Sequence, residues 1–156
     1  MRFFAVLLAA LLAACGPFSS RSPLGVRIAW DDGIKPVSAA AVDEIAAAAV
    51  NDLFNSAPGK YDPDRLADHI AKLRVKFTAP PILCADGDDG YCGGLYSFGT
   101  AYVHFNAPCI AYGKLWHEVV HHLLFWEHLN GDPNHSSPVW AHEANRRLTL
   151  IGRLCK

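Results

Sequence analysis

The segment from Trp116 to His121 reads W-H-E-V-V-H and holds the residue types best suited to chemistry. His117 and His121 are four positions apart, so on a helix both side chains project from one face and can direct a ring nitrogen at the same metal ion. Glu118 lies one position further round the helix, where its carboxylate can act on a water molecule without binding the metal. The spacing therefore predicts two zinc ligands, His117 and His121, and a general base, Glu118.

A catalytic zinc site needs a third protein ligand and an open position for water. His128 is excluded if the helix continues, because it would lie about 10 Å further along the axis than His121. A turn at residues 130–133 would bring the chain back along the helix and deliver His135 to the metal. Glu143, on the segment that follows, also fits. The residues alone leave these two alternatives open.

The run H-E-x-x-H followed by G-D-P-N-H-S and Trp140 resembles the corresponding part of small bacterial zincin-like proteins, in which the loop histidine looks like the ligand. This resemblance favours His135 over Glu143, whose spacing is similar to that in gluzincins. The metzincin layout is disfavoured, because residues 123–125 lack the glycine that would turn the chain. Asp132 is then expected to accept a hydrogen bond from the other ring nitrogen of a ligand histidine.

The resemblance implies an α+β, zincin-like fold, in which a small antiparallel or mixed sheet packs on the H-E-x-x-H helix and is followed by a loop and a C-terminal helix. It also implies a zinc metallopeptidase. Zinc would lower the pKa of a bound water towards about 7, while Glu118 would take its proton and pass it to the leaving amine.

The substrate is expected to be a peptide or protein of the cell envelope, aligned on an edge strand, for which we predict residues 101–105. The alternative is a non-catalytic zinc-binding or structural lipoprotein of the envelope.

The first residues have the composition of an export signal. Arg2 precedes an apolar run over residues 3–14, which is too short to span a bilayer. The sequence L-A-A-C that ends at Cys15 resembles the lipobox of bacterial lipoproteins, which implies a signal peptide over residues 1–14 and acyl chains such as palmitate on Cys15. An ordinary signal peptide with a chance cysteine is the alternative. The lipobox resemblance implies anchoring in the cell envelope, facing the periplasm, and Gly16 favours the outer membrane.

Residues 15–25 are rich in Pro, Gly and Ser, which predicts a flexible tether, and residues 26–156 are long enough for one compact domain. The chain of 156 residues carries 14 Lys and Arg against 15 Asp and Glu, with no basic run, so no nucleic-acid partner is indicated.

An exported chain would meet an oxidising compartment, where its four remaining cysteines are expected to form disulfides. Three pairings are compatible with the sequence, and we favour Cys84 with Cys92 and Cys109 with Cys155. The Asp- and Gly-rich residues between Cys84 and Cys92 have weak similarity to a calcium loop, but they lack its closing glutamate, so a disulfide-closed turn is preferred.

Local patterns place the other elements. Strands are predicted over 26–30 and 74–78, a hairpin over 95–98 and 101–105, and helices from Ser38, from Asp62-Pro63, over 108–130 and over 138–154. Three further histidines are not expected to bind the metal. His69 is expected to lie at the surface or boundary, His104 to pack against tyrosines, and His122 to support the metal site or to lie at its boundary.

Overall fold

The computed structural model describes residues 18, 20–35, 37–84, 91–105, 108–128, 130–144, 149 and 154. The predicted signal peptide, the predicted lipidation site Cys15, residues 85–90 of the loop between Cys84 and Cys92, and Cys155 lie outside the described residues. The helix that contains Cys109 is described, but its side chain is not, so its predicted pairing with Cys155 also lies outside. Among the described residues, no helix combines the length and the apolar character needed to cross a membrane.

The fold is α+β, as predicted, with a mixed sheet. The strands are β1 (Ser20–Arg21), β2 (Arg27–Trp30), β3 (Arg74–Thr78), β4 (Ile82–Leu83), β5 (Tyr91–Cys92), β6 (Gly94–Ser97) and β7 (Thr100–His104). The α-helices are α1 (Ala39–Ser56), α2 (Pro63–Ile70) and α3 (Pro108–His128), and a short 3₁₀ helix covers Pro138–His142.

Five strands form the main sheet, in the order β1-β2-β3-β7-β6. The central strands β2, β3 and β7 are parallel, whereas β1 and β6 pair antiparallel at the two edges. Strands β4 and β5 form a separate antiparallel pair. Because β6 and not β7 is the outer strand beside α3, the prediction that residues 101–105 form the substrate-aligning edge is wrong.

The hydrophobic core lies between the sheet and the helices. In β3, Val75 and Phe77 are fully buried whereas Arg74 and Lys76 are partly exposed, which confirms the predicted alternation. Helix α3 buries Leu115, Trp116, Val119, Val120, Leu123 and Leu124 against β6, β7 and α1. The remaining face of α3 is left for polar side chains, and this face carries the predicted metal ligands.

Helix boundaries follow local capping. Asp62 accepts hydrogen bonds from the backbone N–H groups of Asp64 and Arg65, and Pro63 occupies the first turn of α2, as predicted. Ser38 is the N-terminal cap residue of α1, although its side chain makes no capping bond. At the C-terminal end of the chain, the segment predicted as a helix over 138–154 begins as the 3₁₀ helix.

The segment predicted as a flexible tether contributes to the domain. Ser20–Arg21 pair with β2, and the buried Ser22 donates a hydrogen bond to Asp43 of α1. These bonds hold residues that composition alone assigns to a linker.

The sulfur atoms of Cys84 and Cys92 lie at disulfide-bonding distance, with Cα atoms 5.8 Å apart, as the sequence predicted for this pair.

Candidate metal centre

Helix α3 places two imidazoles side by side. The Nε2 atoms of His117 and His121 are 3.1 Å apart, and both rings are partly exposed on the polar face of the helix. Trp116, between the apolar face and the motif, is fully buried and donates its indole N–H to the carboxylate of Asp52 in α1 at 3.0 Å. This bond fixes the rotation of α3, so that the two histidines face the groove beside the sheet.

The chain returns to these histidines through a short loop after α3. His135 lies on this loop, and its Nε2 atom is 3.2 Å from Nε2 of His121. One ligand atom from each of His117, His121 and His135 lies within 4.8 Å of the other two. The structure therefore brings together the three histidines that the sequence predicted as ligands.

Left-handed backbone conformations make this return possible. Gly131, Asp132 and His135 have φ values of +66°, +52° and +52°. Glycine adopts this region without steric cost, and aspartate and histidine are among the side chains found there more often than most. A turn this tight reverses the chain within a few residues of the end of α3.

Asp132 organises the loop through its two carboxylate oxygens. They accept hydrogen bonds from the backbone N–H and hydroxyl of Ser136, the backbone N–H of Ser137 and the indole N–H of Trp140, at 2.6 to 2.9 Å. Burial alone would raise the pKa of Asp132, but these four bonds hold it well below its usual range. We predicted that Asp132 would bond to a ligand histidine. Its carboxylate instead bonds to the loop that carries His135.

Other groups accept the hydrogen bonds of the histidine rings. The Nδ1–H of His121 donates to the carbonyl of Gly131 at 2.6 Å, and Nδ1 of His117 lies 2.9 Å from Oε1 of Glu143. A neutral imidazole that donates its Nδ1–H to a carbonyl or carboxylate oxygen keeps a lone pair on Nε2. Glu143, the alternative third ligand, therefore lies behind His117, on the side away from the other two Nε2 atoms.

The arrangement fits a tetrahedral metal ion. Ligands at about 2.0 to 2.1 Å from zinc lie roughly 3.3 Å from one another, close to the observed Nε2 separations of 3.1 and 3.2 Å. Burial lowers the pKa of His121 to about 4, and the neighbouring imidazoles add to this effect, so its ring is neutral near pH 7. Ring nitrogens at this distance either share a proton in an N–H···N hydrogen bond or bind a common cation. The donor set and spacing could therefore hold a metal ion.

Glu118 is the buried acidic group of the site, with 5% of its surface exposed. Burial raises the pKa of Glu118 to about 8; the carboxylate of Glu143 adds to the increase and a hydrogen bond from the backbone N–H of Tyr96 opposes it. Strand β6 leaves room for this side chain only because Gly94 has no Cβ atom: a Cβ there would lie 2.4 Å from Oε1 of Glu118. Glu118 is thus clamped between α3 and β6.

Two adjoining cavities run along β6 on either side of Glu118. One, of about 270 Å³, reaches from Leu95 and Tyr96 past the histidines to the return loop, and the other, of about 240 Å³, reaches Cys92, Gly93 and Lys114. Gly94, His117 and Glu118 line both. The two cavities therefore form one groove, with the histidine cluster and Glu118 at its middle.

The remaining histidines support the structure around the site. The fully buried His122 donates from Nε2 to the carbonyl of His69 at 2.8 Å, and its Nδ1 accepts the hydroxyl of Tyr96 at 3.1 Å. His69, in turn, lies 3.0 Å from a carboxylate oxygen of Glu127. Through Tyr96, His122 fixes the edge strand to the helix that carries the motif. His104, at the end of β7, is not part of the cluster.

The sequence analysis gave Gly94 and Tyr96 no role in the site, and it noted Gly131 only as part of the turn and Trp140 only as part of the motif run. The ring of Trp140 lies with its centroid 4.4 to 4.9 Å from those of His117, His121 and His135. Trp140 had a signal, since it follows the G-D-P-N-H-S run. The sequence contained no signal for Gly94, because its role depends on how closely β6 approaches α3.

No protein-family model matches this chain, and searches of curated proteins and of solved structures also return no match.

Proposed function

We propose that this protein is a zinc-dependent metallopeptidase of zincin-like form. The observation that supports this most directly is the convergence of three imidazole Nε2 atoms beside a buried carboxylate, in the middle of an open groove. His117, His121 and His135 would hold the ion. Zinc bound there would supply a Lewis acid that polarises a carbonyl group and makes water more acidic.

Glu118 is the general base of this proposal. Burial raises the pKa of Glu118 to about 8, so it holds a proton near pH 7 in the absence of a neighbouring cation; zinc bound beside it would favour the carboxylate, which could then accept a proton from water. The N–H of Tyr96 orients the carboxylate towards the groove. After accepting a proton from water, Glu118 is placed to pass it to the nitrogen of the leaving group.

An extended peptide is the substrate that the groove suits. Strand β6 is the outer strand of the sheet, and alternate residues of an antiparallel edge strand direct their backbone N–H and C=O groups away from their partner. The groove runs along this edge and past Glu118. A peptide that adds to β6 would carry a carbonyl group past the histidine cluster.

The setting proposed for this activity is the bacterial cell envelope. Lipidation at Cys15 would anchor the domain to a membrane, facing the periplasm, with the outer membrane favoured. The substrate would then be a peptide or protein of the envelope.

Metal analysis and peptide cleavage test the proposal together. The purified protein should contain about one zinc per chain, and it should cleave members of a peptide library in a reaction that a chelator stops. Glu118→Gln should keep the zinc and lose roughly 10²- to 10⁴-fold in kcat, the range of general acid–base catalysis. Zinc without cleavage in the unaltered protein would instead identify a non-catalytic zinc-binding lipoprotein.

A further inference from the structure

The end of the sheet at which β2 and β3 begin carries four cationic side chains. Arg27 and Arg74 begin β2 and β3 and are paired in register. Arg21 lies on the neighbouring strand β1, with its guanidinium donating to the carbonyl of Gly25, and Lys72 lies just before β3. Arg21, Arg27 and Lys72 are exposed and Arg74 is partly exposed. We call these four residues the basic end.

Exposed apolar side chains lie among these cations. Phe98, at the turn between β6 and β7, is 86% exposed, and its carbonyl accepts a hydrogen bond from Arg74 at 2.7 Å. Trp126 is also exposed, with Nζ of Lys72 4.5 Å from its ring centroid, and Leu24 is exposed in the loop between Arg21 and Arg27. Aromatic and apolar side chains interspersed with Lys and Arg are typical of surfaces that bind at a membrane interface.

The backbone conformation of Phe98 indicates that the exposure of its side chain serves a function. Its φ is +45° and that of Gly99 is +81°, the pair of values needed by a two-residue turn between antiparallel strands. Asn or Gly is the usual residue at such a position, whereas a bulky side chain there is strained. The chain thus holds a phenyl ring in water at a position where a small polar residue would fit better.

One acidic group beside this end makes hydrogen bonds within the domain. Asp43 of α1 lies against the loop between β1 and β2, where it accepts hydrogen bonds from the hydroxyl of Ser22 and the backbone N–H of Leu24. The guanidinium groups of Arg21 and Arg74 also bond to backbone carbonyls, whereas Arg27 and Lys72 are exposed.

The N-terminal part of the chain enters the domain at the same end. The guanidinium of Arg74 lies 5.9 Å from the ring centroid of Phe18. Cys15 precedes Phe18 by three residues, a length of chain that spans at most about 11 Å. The apolar run over 3–14 lies directly before it. A membrane attachment through these residues would keep the basic end close to the bilayer.

We propose that the basic end, with Phe98 at its tip, lies against a bilayer surface that contains anionic phospholipids. Phosphate groups pair with the four cations, and Phe98, Leu24 and Trp126 reach the boundary between headgroups and acyl chains. This inference rests on the proposed membrane attachment and is independent of the proposed peptidase activity. It places Phe98 nearer the membrane than Gly94, which lies at the other end of β6.

Photo-crosslinking to lipid tests this orientation. The full-length protein is incorporated into vesicles of phosphatidylglycerol and phosphatidylcholine, or of phosphatidylcholine alone, each containing a phospholipid with a diazirine near the top of its acyl chain. Lipid adducts are located by mass spectrometry. Leu83 is the matched control, since it is 74% exposed and follows β3 at the opposite end of the sheet.

We expect adducts on Phe98 and Trp126 and few on Leu83 in the anionic vesicles. Arg27→Gln should lower the adduct yield at Phe98 roughly fivefold, the contribution of one cation near an anionic surface. Phe98→Asn should reduce adducts at Trp126 while the thermal midpoint stays the same or rises, because Asn suits the turn. Equal labelling of Leu83 and Phe98, equal yields on phosphatidylcholine, or protein–protein crosslinks between two copies at Phe98 in place of lipid adducts would overturn the proposal.

Discussion

His135 and Glu143 lie on different sides of His117, and this difference predicts different effects when each is replaced. The Nε2 of His135 points into the cluster, whereas the carboxylate of Glu143 accepts a hydrogen bond from the outer nitrogen of His117. His135→Ala should therefore abolish stoichiometric zinc binding. Glu143→Gln should keep one zinc per chain and weaken its affinity about 10- to 100-fold, as is usual for groups that orient a ligand.

Titration of both variants against a fluorescent chelator of known zinc affinity measures the difference. His142→Ala provides a control, since His142 is exposed at the end of the 3₁₀ helix and is not part of the cluster. The reverse order of effects, with Glu143→Gln losing all zinc and His135→Ala retaining it, would identify Glu143 as the third ligand.

Gly94 controls the position of Glu118. A Cβ atom at residue 94 would lie 2.4 Å from Oε1 and 2.9 Å from Cγ of Glu118, so Gly94→Ala must displace the carboxylate or the edge strand. We expect this variant to bind zinc normally and to lose at least about 100-fold in kcat, because a misplaced base cannot take the proton.

Gly93→Ala is the matched control for Gly94→Ala. Its Cβ atom would meet the Cδ, Cε and Nζ atoms of Lys114, the flexible end of a long side chain that can move aside. Steady-state peptidase assays and zinc analysis of the two variants separate the effects. Equal losses of activity in both would show that crowding of the groove, and not the position of Glu118, is responsible.

Among the elements, the return loop between α3 and the 3₁₀ helix is held by one carboxylate. Asp132→Ala would remove the acceptor of four hydrogen bonds and leave the partly buried indole N–H of Trp140 without its partner. We expect a loss of about 1 to 3 kcal/mol in the free energy of unfolding. Zinc affinity should also fall, although Asp132 is not a ligand, because the loop carries His135.

Asp132→Asn is the conservative comparison, since its amide oxygen can still accept some of these bonds. It should lie between Asp132→Ala and the unaltered protein in both denaturant unfolding and zinc titration. Unchanged zinc affinity in Asp132→Ala would mean that the loop keeps its shape without the carboxylate.

The elements also show what local sequence patterns can predict. The alternation of Val75 and Phe77 and the cap formed by Asp62 depend on neighbours within a few residues, and both were predicted correctly. Strand order depends on pairings between distant residues, such as Arg74 with Thr100, for which the sequence has no local signal. For this reason the edge strand was misassigned to residues 101–105.

The same limit applies within the site. The spacing of His117 and His121 and the turn before His135 were visible, because helix geometry and turn chemistry are local. The contacts of Gly131 with Nδ1 of His121 and of Glu143 with Nδ1 of His117 could not be predicted, since they depend on the path of the loop once it has closed. Asp132 was recognised as a polar residue of the site but assigned the wrong partner for the same reason.

For the whole molecule, zinc binding should be linked to stability. A ligand that binds only the folded protein stabilises it by about 4 kcal/mol when present at a thousand times its dissociation constant. For a domain of this size, removal of the metal by a chelator should lower the thermal midpoint by on the order of 10 °C. Differential scanning calorimetry with and without chelator measures the shift.

The triple variant in which His117, His121 and His135 are all replaced by Ala is the control for this measurement, because its midpoint should not respond to chelator. A chelator-independent midpoint in the unaltered protein, at equal pH and protein concentration, would show that no metal is coupled to folding.

The short return to the histidine cluster also has a consequence for how the chain folds. The Nε2 atoms of His121 and His135 meet across only 14 positions of sequence. The entropy lost on closing a loop rises with the logarithm of its length, so this contact has a lower closure cost than the pairing of β2 with β3, in which Arg27 lies opposite Arg74. The contacts of the histidine cluster join residues close in sequence, whereas the contacts of the sheet join residues further apart. It can therefore form as a local unit of α3 and its loop, with little dependence on the pairing of the distant strands.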